Sequence, residues 1–157
     1  LSQAGGWSMS ITAWGEHLPY YENQVTLDPE QKDKFGMPVL RINCEFKENE
    51  KALGKDAMNS AAEILEMAGL KNIQTYDWHK IPGSCIHETG TVRMGRDPKT
   101  SVLNKWNQMH EVKNLFITDG SSVCSSGTTP GPSVTYMALT ARAVDYAVKE
   151  MRKGNIR

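Results

Sequence analysis

The sequence predicts an α+β protein, a sheet with packed helices, and three observations carry that prediction. From Val39 to Phe46 apolar and polar residues alternate, with Leu40, Ile42, Cys44 and Phe46 set against Arg41, Asn43 and Glu45. That period of two turns one face of a strand to a core. From Asn49 to Ala68 apolar residues recur at helical spacing, and a second helical run begins at Pro132. A length of 157 residues suits one compact domain or a large piece of a bigger protein.

Residues Trp7 to Trp14 mix β-formers with small polar residues and predict a strand that breaks at Gly15-Glu16. Val25 to Leu27 predicts a short strand stopped by Asp28-Pro29, with a turn or single helical turn reaching Gly36. In the first helix Asn49 is the expected N-cap and Gly69 the stop. Leu53, Ala57, Ala61, Leu65 and Ala68 share the face expected to pack on the sheet. Ile73 to Trp78 predicts another strand, after which Pro82-Gly83 turns the chain into Cys85, Ile86 and His87. Leu115 to Thr118 is a continuous apolar run, expected as a strand buried on both faces. Residues 121–130 form a loop rich in Ser, Gly and Thr.

The last helix tolerates Pro132 at its start because first-turn N–H groups have no helical partner. Its expected inward stripe is Val134, Met137 or Ala138, Ala141, Val144 and Val148. Lys149, Arg152 and Lys153 complement the helix dipole at the other end, and Gly154 stops it.

Composition narrows the function classes. Eighteen Lys and Arg balance eighteen Asp and Glu, which leaves no electrostatic reason to propose nucleic acid or an anionic membrane as partner. Cys44, Cys85 and Cys124 are odd in number and widely spaced, so free thiols are expected rather than a disulfide framework. No apolar run is long enough to span a bilayer. The chain opens at Leu1 without an initiator Met, and we expect a truncated start.

Three segments carry chemistry. His87 to Pro98 reads His-Glu-Thr-Gly-Thr-Val-Arg-Met-Gly-Arg-Asp-Pro, with Gly90 allowing close approach to the backbone. Asn114 to Gly120 is an apolar run ending in Asp119-Gly120, and Pro130 to Arg142 enters the final helix. Ligands in open α/β sheets bind beyond strand carboxyl ends, and a helix start favours negative charge nearby. His17, His79 and His110 lack comparable surroundings and are assigned to surface or packing roles. A zinc site from Cys85, His87, His79 and Cys124 is disfavoured, because Cys85 and His87 alternate and no Cys-x-x-Cys or His-Glu-x-x-His pattern is present. A serine hydrolase is disfavoured as well, since no Gly-x-Ser-x-Gly elbow occurs and the run from Gly120 to Cys124 lacks the second glycine.

Taken in this order, the segments resemble the C-terminal region of the glucose-methanol-choline (GMC) flavin oxidoreductases. The elements are His87 with Gly90-Thr91, Arg93-Met94-Gly95, Asp97-Pro98, Asn114-Leu115, Asp119-Gly120, and Thr135 with Ala138-Leu139, with a looser echo from Glu22 to Pro29. The resemblance implies FAD as cofactor, an alcohol or sugar as substrate, and hydride transfer to flavin N5 while His87 takes the hydroxyl proton. An unperturbed imidazole titrates near neutrality, which suits that task. Asp119 and Gly120 would meet the ribityl and pyrophosphate part of FAD. Pro132, Ser133 and Val134 would present the positive end of the final helix to the anionic side of the reduced flavin. Residues 1–82 would belong to the antiparallel substrate domain, and 83–157 would return to the FAD site.

Two departures qualify this. The Gly-x-Gly-x-x-Gly fingerprint is absent, so the resemblance implies a missing N-terminal FAD-binding region as partner, and the chain alone is expected to be inactive. Where the family usually carries Asn or His as second catalytic residue, this chain has Gly131. Thr128, Thr129 or Ser133 substitutes, or the alkoxide is stabilised differently, or the member is impaired. The alternative reading is a non-catalytic binding or structural domain that retains the fold but lacks flavin chemistry.

Overall fold

The structure, a computed structural model, describes residues 5–77, 82, 87–125 and 131–157. It is α+β: an antiparallel pair, β1 (Gln24–Lys32) and β2 (Pro38–Asn43), followed by two helices, α1 (Glu48–Met67) and α2 (Ser133–Arg152). Between the helices lies a 3-10 turn, Gly120–Ser122.

The pair begins in regular register, Gln24 opposite Asn43 and Leu27 opposite Leu40, and then slips before Lys32 meets Pro38. The slip has a local cause. Pro29 has no N–H to give a ladder, and the Asp28 carboxylate accepts from the N–H groups of Glu30 (2.9 Å) and Gln31 (2.8 Å) instead. β1 therefore continues through Asp28-Pro29, where the sequence predicted a stop. At the turn, Asp33 Oδ1 accepts from Phe35 N (2.8 Å) and Met37 N (2.9 Å), and Gly36 supplies the positive φ of 84°.

Helix α1 is tied down at its first turn by a buried carboxylate. Glu50, 3% exposed, accepts from Lys47 N (2.9 Å), Leu18 N (3.2 Å), the Tyr20 hydroxyl (3.2 Å) and the Asn49 amide (3.3 Å). The predicted cap shifts accordingly: Lys47, not Asn49, is the N-cap, and its N–H is met by the glutamate three residues on. α1 does not pack on the β1–β2 pair as expected. It holds the 15–20 loop, where any side chain at Gly15 would run into Leu53. The alternating face of β2 is left uncovered, with Leu40 64% and Ile42 68% exposed.

Three predicted strands are absent. Residues 7–14 and 73–77 take no regular structure, and Trp78 lies outside the described residues. The Leu115–Thr118 run makes only an isolated bridge, Phe116 with Gln108, and Leu115 is exposed. The backbone between Val92 and Ser122 is instead satisfied piecewise. Asn107, fully buried with φ 60°, gives its side-chain amide to Ile117 O (3.0 Å), accepts at its own carbonyl from Ile117 N (3.0 Å), and presents Oδ1 to Arg142 Nη2 (3.1 Å). Asparagine tolerates this left-handed backbone better than most residues.

On α2 the predicted stripe faces outward: Val134 (77%), Met137 and Val144 are exposed, as are Ala138 and Ala141. The inward face is Tyr136, Leu139, Ala143 and Tyr146, with Trp106 stacked flat on Tyr146 at 4.9 Å and Phe116 edge-on to the same ring. Both faces of α2 are apolar, so periodicity alone does not tell which of them packs within this chain. Among the described residues no helix is long and apolar enough to cross a membrane.

Two predictions follow from these buried polar groups. Asn107→Ala strands the Ile117 carbonyl and Arg142 and forces alanine into a left-handed backbone, so urea unfolding should show a loss of about 2–4 kcal/mol. For Glu50, burial alone would raise the pKa, but the N–H groups of Lys47 and Leu18 and the Asn49 amide outweigh it and hold it at about 2, below the ordinary 4.5. A depressed carboxyl contributes stability above its unfolded value and loses it as pH falls. The free energy of unfolding should therefore fall between pH 4.5 and 2, by roughly 1–3 kcal/mol, and Glu50→Gln should flatten that acid limb.

Candidate functional site

The segment after His87 lies alongside the segment after Asp119. Val92 N donates to Ser121 O (2.9 Å) and Met94 N to Ser122 O (2.8 Å), and Gly90 stands beside the carbonyls of Val123 and Cys124. Residues far apart in sequence, 87–94 and 119–124, are thereby brought together. His87 itself is half-buried with φ 112°. A non-glycine residue there costs roughly 1–3 kcal/mol, and such strain collects where surrounding structure fixes a side chain for a task.

Asp119 caps the 3-10 turn. Its carboxylate accepts from Ser121 N (3.0 Å) and from the Ser121 hydroxyl, while Ser122, fully buried, gives its hydroxyl to Asp119 O (2.8 Å). At Gly120 a Cβ would come 2.7 Å from Glu88 O and 2.8 Å from the Tyr136 hydroxyl. Gly120 is thus the thin layer that lets the His87 segment and α2 close on each other.

Sequence reasoning missed Tyr136. Its hydroxyl oxygen is buried without a hydrogen-bond partner among the described residues. Burial, and secondly the Asp119 carboxylate, push its pKa above the ordinary 10.0. Tyr136 sits inside the segment already singled out, but no pattern marks it. Pro132 is buried and is the N-cap of α2, accepting from Tyr136 N (3.0 Å), whereas Ser133 and Val134 are exposed. The first N–H groups of such a helix lack intrahelical partners, so this end favours an anionic group.

Gly131 is exposed, has φ 88°, and has open space where a side chain would stand. No described contact brings it to His87. Thr128, Thr129, Cys85 and His79 lie outside the described residues. Cys44 and Cys124 are free thiols. His17 and His110 have structural partners: His17 meets Glu45 O and Asn23, and His110 meets Ser101.

The residues present fit part of a flavin site: an anion-favouring helix start, an orphaned buried hydroxyl beside Asp119-Gly120, and a strained histidine on the adjoining segment. A dinucleotide-binding turn is not among them.

Comparison with known proteins places the chain. A family model for the C-terminal part of the GMC oxidoreductases, described as "GMC oxidoreductase", matches residues 19–140. The 2-methyl-1,2-propanediol dehydrogenase of Mycolicibacterium austroafricanum is 40% identical over 139 residues, covering 88% of this chain and 25% of that protein. The fructose dehydrogenase large subunit of Gluconobacter japonicus is 29% identical over 93% of this chain and 26% of its own length. The gluconate 2-dehydrogenase flavoprotein of Pantoea cypripedii is 31% identical over 84% of this chain and 22% of its own length. The chain spans about a quarter of the length of these relatives, all of them oxidoreductases by name. With the family model matched over most of its length, this chain belongs to the GMC oxidoreductase family, as a C-terminal domain.

Proposed function

We propose that the chain is the C-terminal part of an FAD-dependent oxidoreductase that oxidises a CH–OH group of an alcohol or sugar, with His87 as the base that takes the hydroxyl proton. The observation that carries this reading is the close run of the His87 segment beside Asp119-Gly120, which puts an imidazole and an anion-favouring helix on elements in mutual contact. The names of the relatives, dehydrogenases of a diol, fructose and gluconate, support the substrate class. Flavin, when bound, supplies the hydride acceptor at N5.

The work of this chain is then positional and protonic. A ring nitrogen of His87 accepts the substrate hydroxyl proton as the carbon–hydrogen bond weakens, which general-base catalysis accelerates by roughly 10²–10⁴. Asp119, Gly120, Pro132, Ser133 and Val134 hold the cofactor, the helix start favouring negative charge. FAD itself is held largely by an N-terminal region that carries the dinucleotide fingerprint, with residues 1–82 facing substrate and 83–157 facing flavin. Alone, the chain is inactive.

Gly131 favours a second reading, a domain that keeps the fold without the reaction. It has no side chain to donate to an alkoxide at the position where the family usually has Asn or His.

Expression of the complete reading frame separates the two. On the first reading the protein is yellow, and His87→Ala slows anaerobic flavin reduction by an alcohol or sugar at least about 100-fold while flavin content is unchanged. A colourless protein that takes up no added FAD establishes the second reading, and unchanged reduction kinetics remove His87 from the chemistry. Tyr136→Phe probes the site without turnover. Deleting an unpartnered buried hydroxyl should leave urea stability of the flavin-free protein equal or higher by up to about 1 kcal/mol, and a loss would show that the hydroxyl has a partner.

A further inference from the structure

We propose that the cleft between the 94–110 segment and α2 is an anion site, shaped for a carboxylate or phosphate group carried on an apolar body. Its cavity of about 480 Å³ is walled by Arg96, Lys105, His110 and Arg142 around the apolar surfaces of Met94 and Leu139. That size is ordinary for a small-ligand pocket, roughly 300–1,000 Å³. None of its lining residues is acidic, and only Met94, at the end of the 87–94 segment, is shared with the His87 site. The inference therefore stands apart from the proposed reaction.

The charge arrangement is what calls for a ligand. Of the eighteen Lys and Arg, only Lys47, Lys51, Lys149 and Lys153 pair with a carboxylate among the described residues, at 2.6–2.8 Å, so the distinctive feature is not an unpaired cation but the grouping of three around one cleft. Among the described residues Arg96, Lys105 and Arg142 enter no ion pair, although they share one cavity. Asp97, the acid next in sequence to Arg96, turns its carboxylate to the Lys99 N–H at 2.9 Å.

Two of the three cations are also held in place. Arg142 gives Nη2 to Asn107 Oδ1 (3.1 Å) and touches Met94 Sδ (3.6 Å), and Asn107 is fully buried, so the guanidinium is oriented with donors to spare. Lys105 Nζ lies 5.1 Å from the centre of the Trp106 ring, itself stacked on Tyr146 of α2. Oriented cations lose less entropy on binding an oxyanion than free surface lysines do. The His110 Nε2–Ser101 Oγ contact (3.2 Å) fixes the remaining wall.

The oxyanion has two possible sources, a small molecule or an acidic side chain from polypeptide beyond these residues, and one experiment tells them apart. The complete protein and its Arg96→Gln/Lys105→Gln variant are unfolded thermally while inorganic phosphate is titrated at constant ionic strength. For a small-molecule site, phosphate raises the wild-type midpoint saturably, and the variant needs at least about tenfold more phosphate for the same rise. For a resident side-chain carboxylate, phosphate has no effect, the variant melts several degrees lower, and that loss fades at high salt. If the variant melts at the same or a higher temperature and responds to phosphate as the wild type does, the cations only repel one another and the proposal is overturned.

Discussion

Asn107 is the constraint on which the second half of the structure depends. The stretch from Val92 to Ser122 buries backbone without a sheet to satisfy it, and a buried unpaired carbonyl or N–H costs about 1–3 kcal/mol. One fully buried asparagine meets that demand from several directions, pairing with both backbone groups of Ile117 and with Arg142. The pairing with Ile117 fixes the chain two residues before Asp119. The pairing with Arg142 fixes the angle at which α2 leaves the site. Position at the candidate site is thus inherited from a polar side chain outside it.

Gly120 completes the transmission. Glu88 O and the Tyr136 hydroxyl both crowd the place where its Cβ would stand, so the His87 segment and α2 approach as closely as a glycine allows. Any Cβ there would push one of them away. His87 carries a left-handed backbone, and a few residues on the hydrogen bonds of Val92 and Met94 to Ser121 and Ser122 anchor the same segment. A loop held this way keeps its histidine in place at the expense of a few kcal/mol of backbone preference.

What the sequence made legible follows from this division of labour. The extents of α1 and α2 were readable within a residue or two, because Gly69, Pro132 and Gly154 act through local backbone preference. The family was readable because His87, Arg93-Met94-Gly95 and Asp119-Gly120 are local signatures. The cap was placed at Asn49 instead of Lys47 because lysine is not a usual capping residue, so the reciprocal glutamate three residues on had no visible partner. Asn107 and Tyr136 were invisible, since their surroundings come from residues 10 to 35 positions away and no periodicity encodes such neighbours. Residues 7–14 and 115–118 carry β-formers yet form no strand, which shows propensity losing to the absence of a pairing edge.

The exposed apolar face of α2 and the bare face of β2 belong together. The chain exposes 12,647 Å², against about 7,900 Å² for a compact protein of 17.5 kDa. The excess includes Val134, Met137 and Val144 on α2 and Leu40 and Ile42 on β2, residues whose exposure forgoes about 25 cal/mol for each Å² of apolar surface left in water. Apolar stripes at regular spacing on both elements are what covered faces look like, and the chain spans only about a quarter of its relatives. On the proposed reading, the polypeptide that covers these faces also brings the dinucleotide fingerprint. Val134 and Met137 belong to the first turns of α2, so the same docking would exclude water from its positive end. An electrostatic contribution that is weak in the exposed helix would then act in a lower dielectric, where charge stabilisation is several-fold stronger. On that reading catalytic competence would be a property of the assembled faces, and Gly131, with open space and a left-handed backbone, would be judged by what the covering polypeptide places beside it.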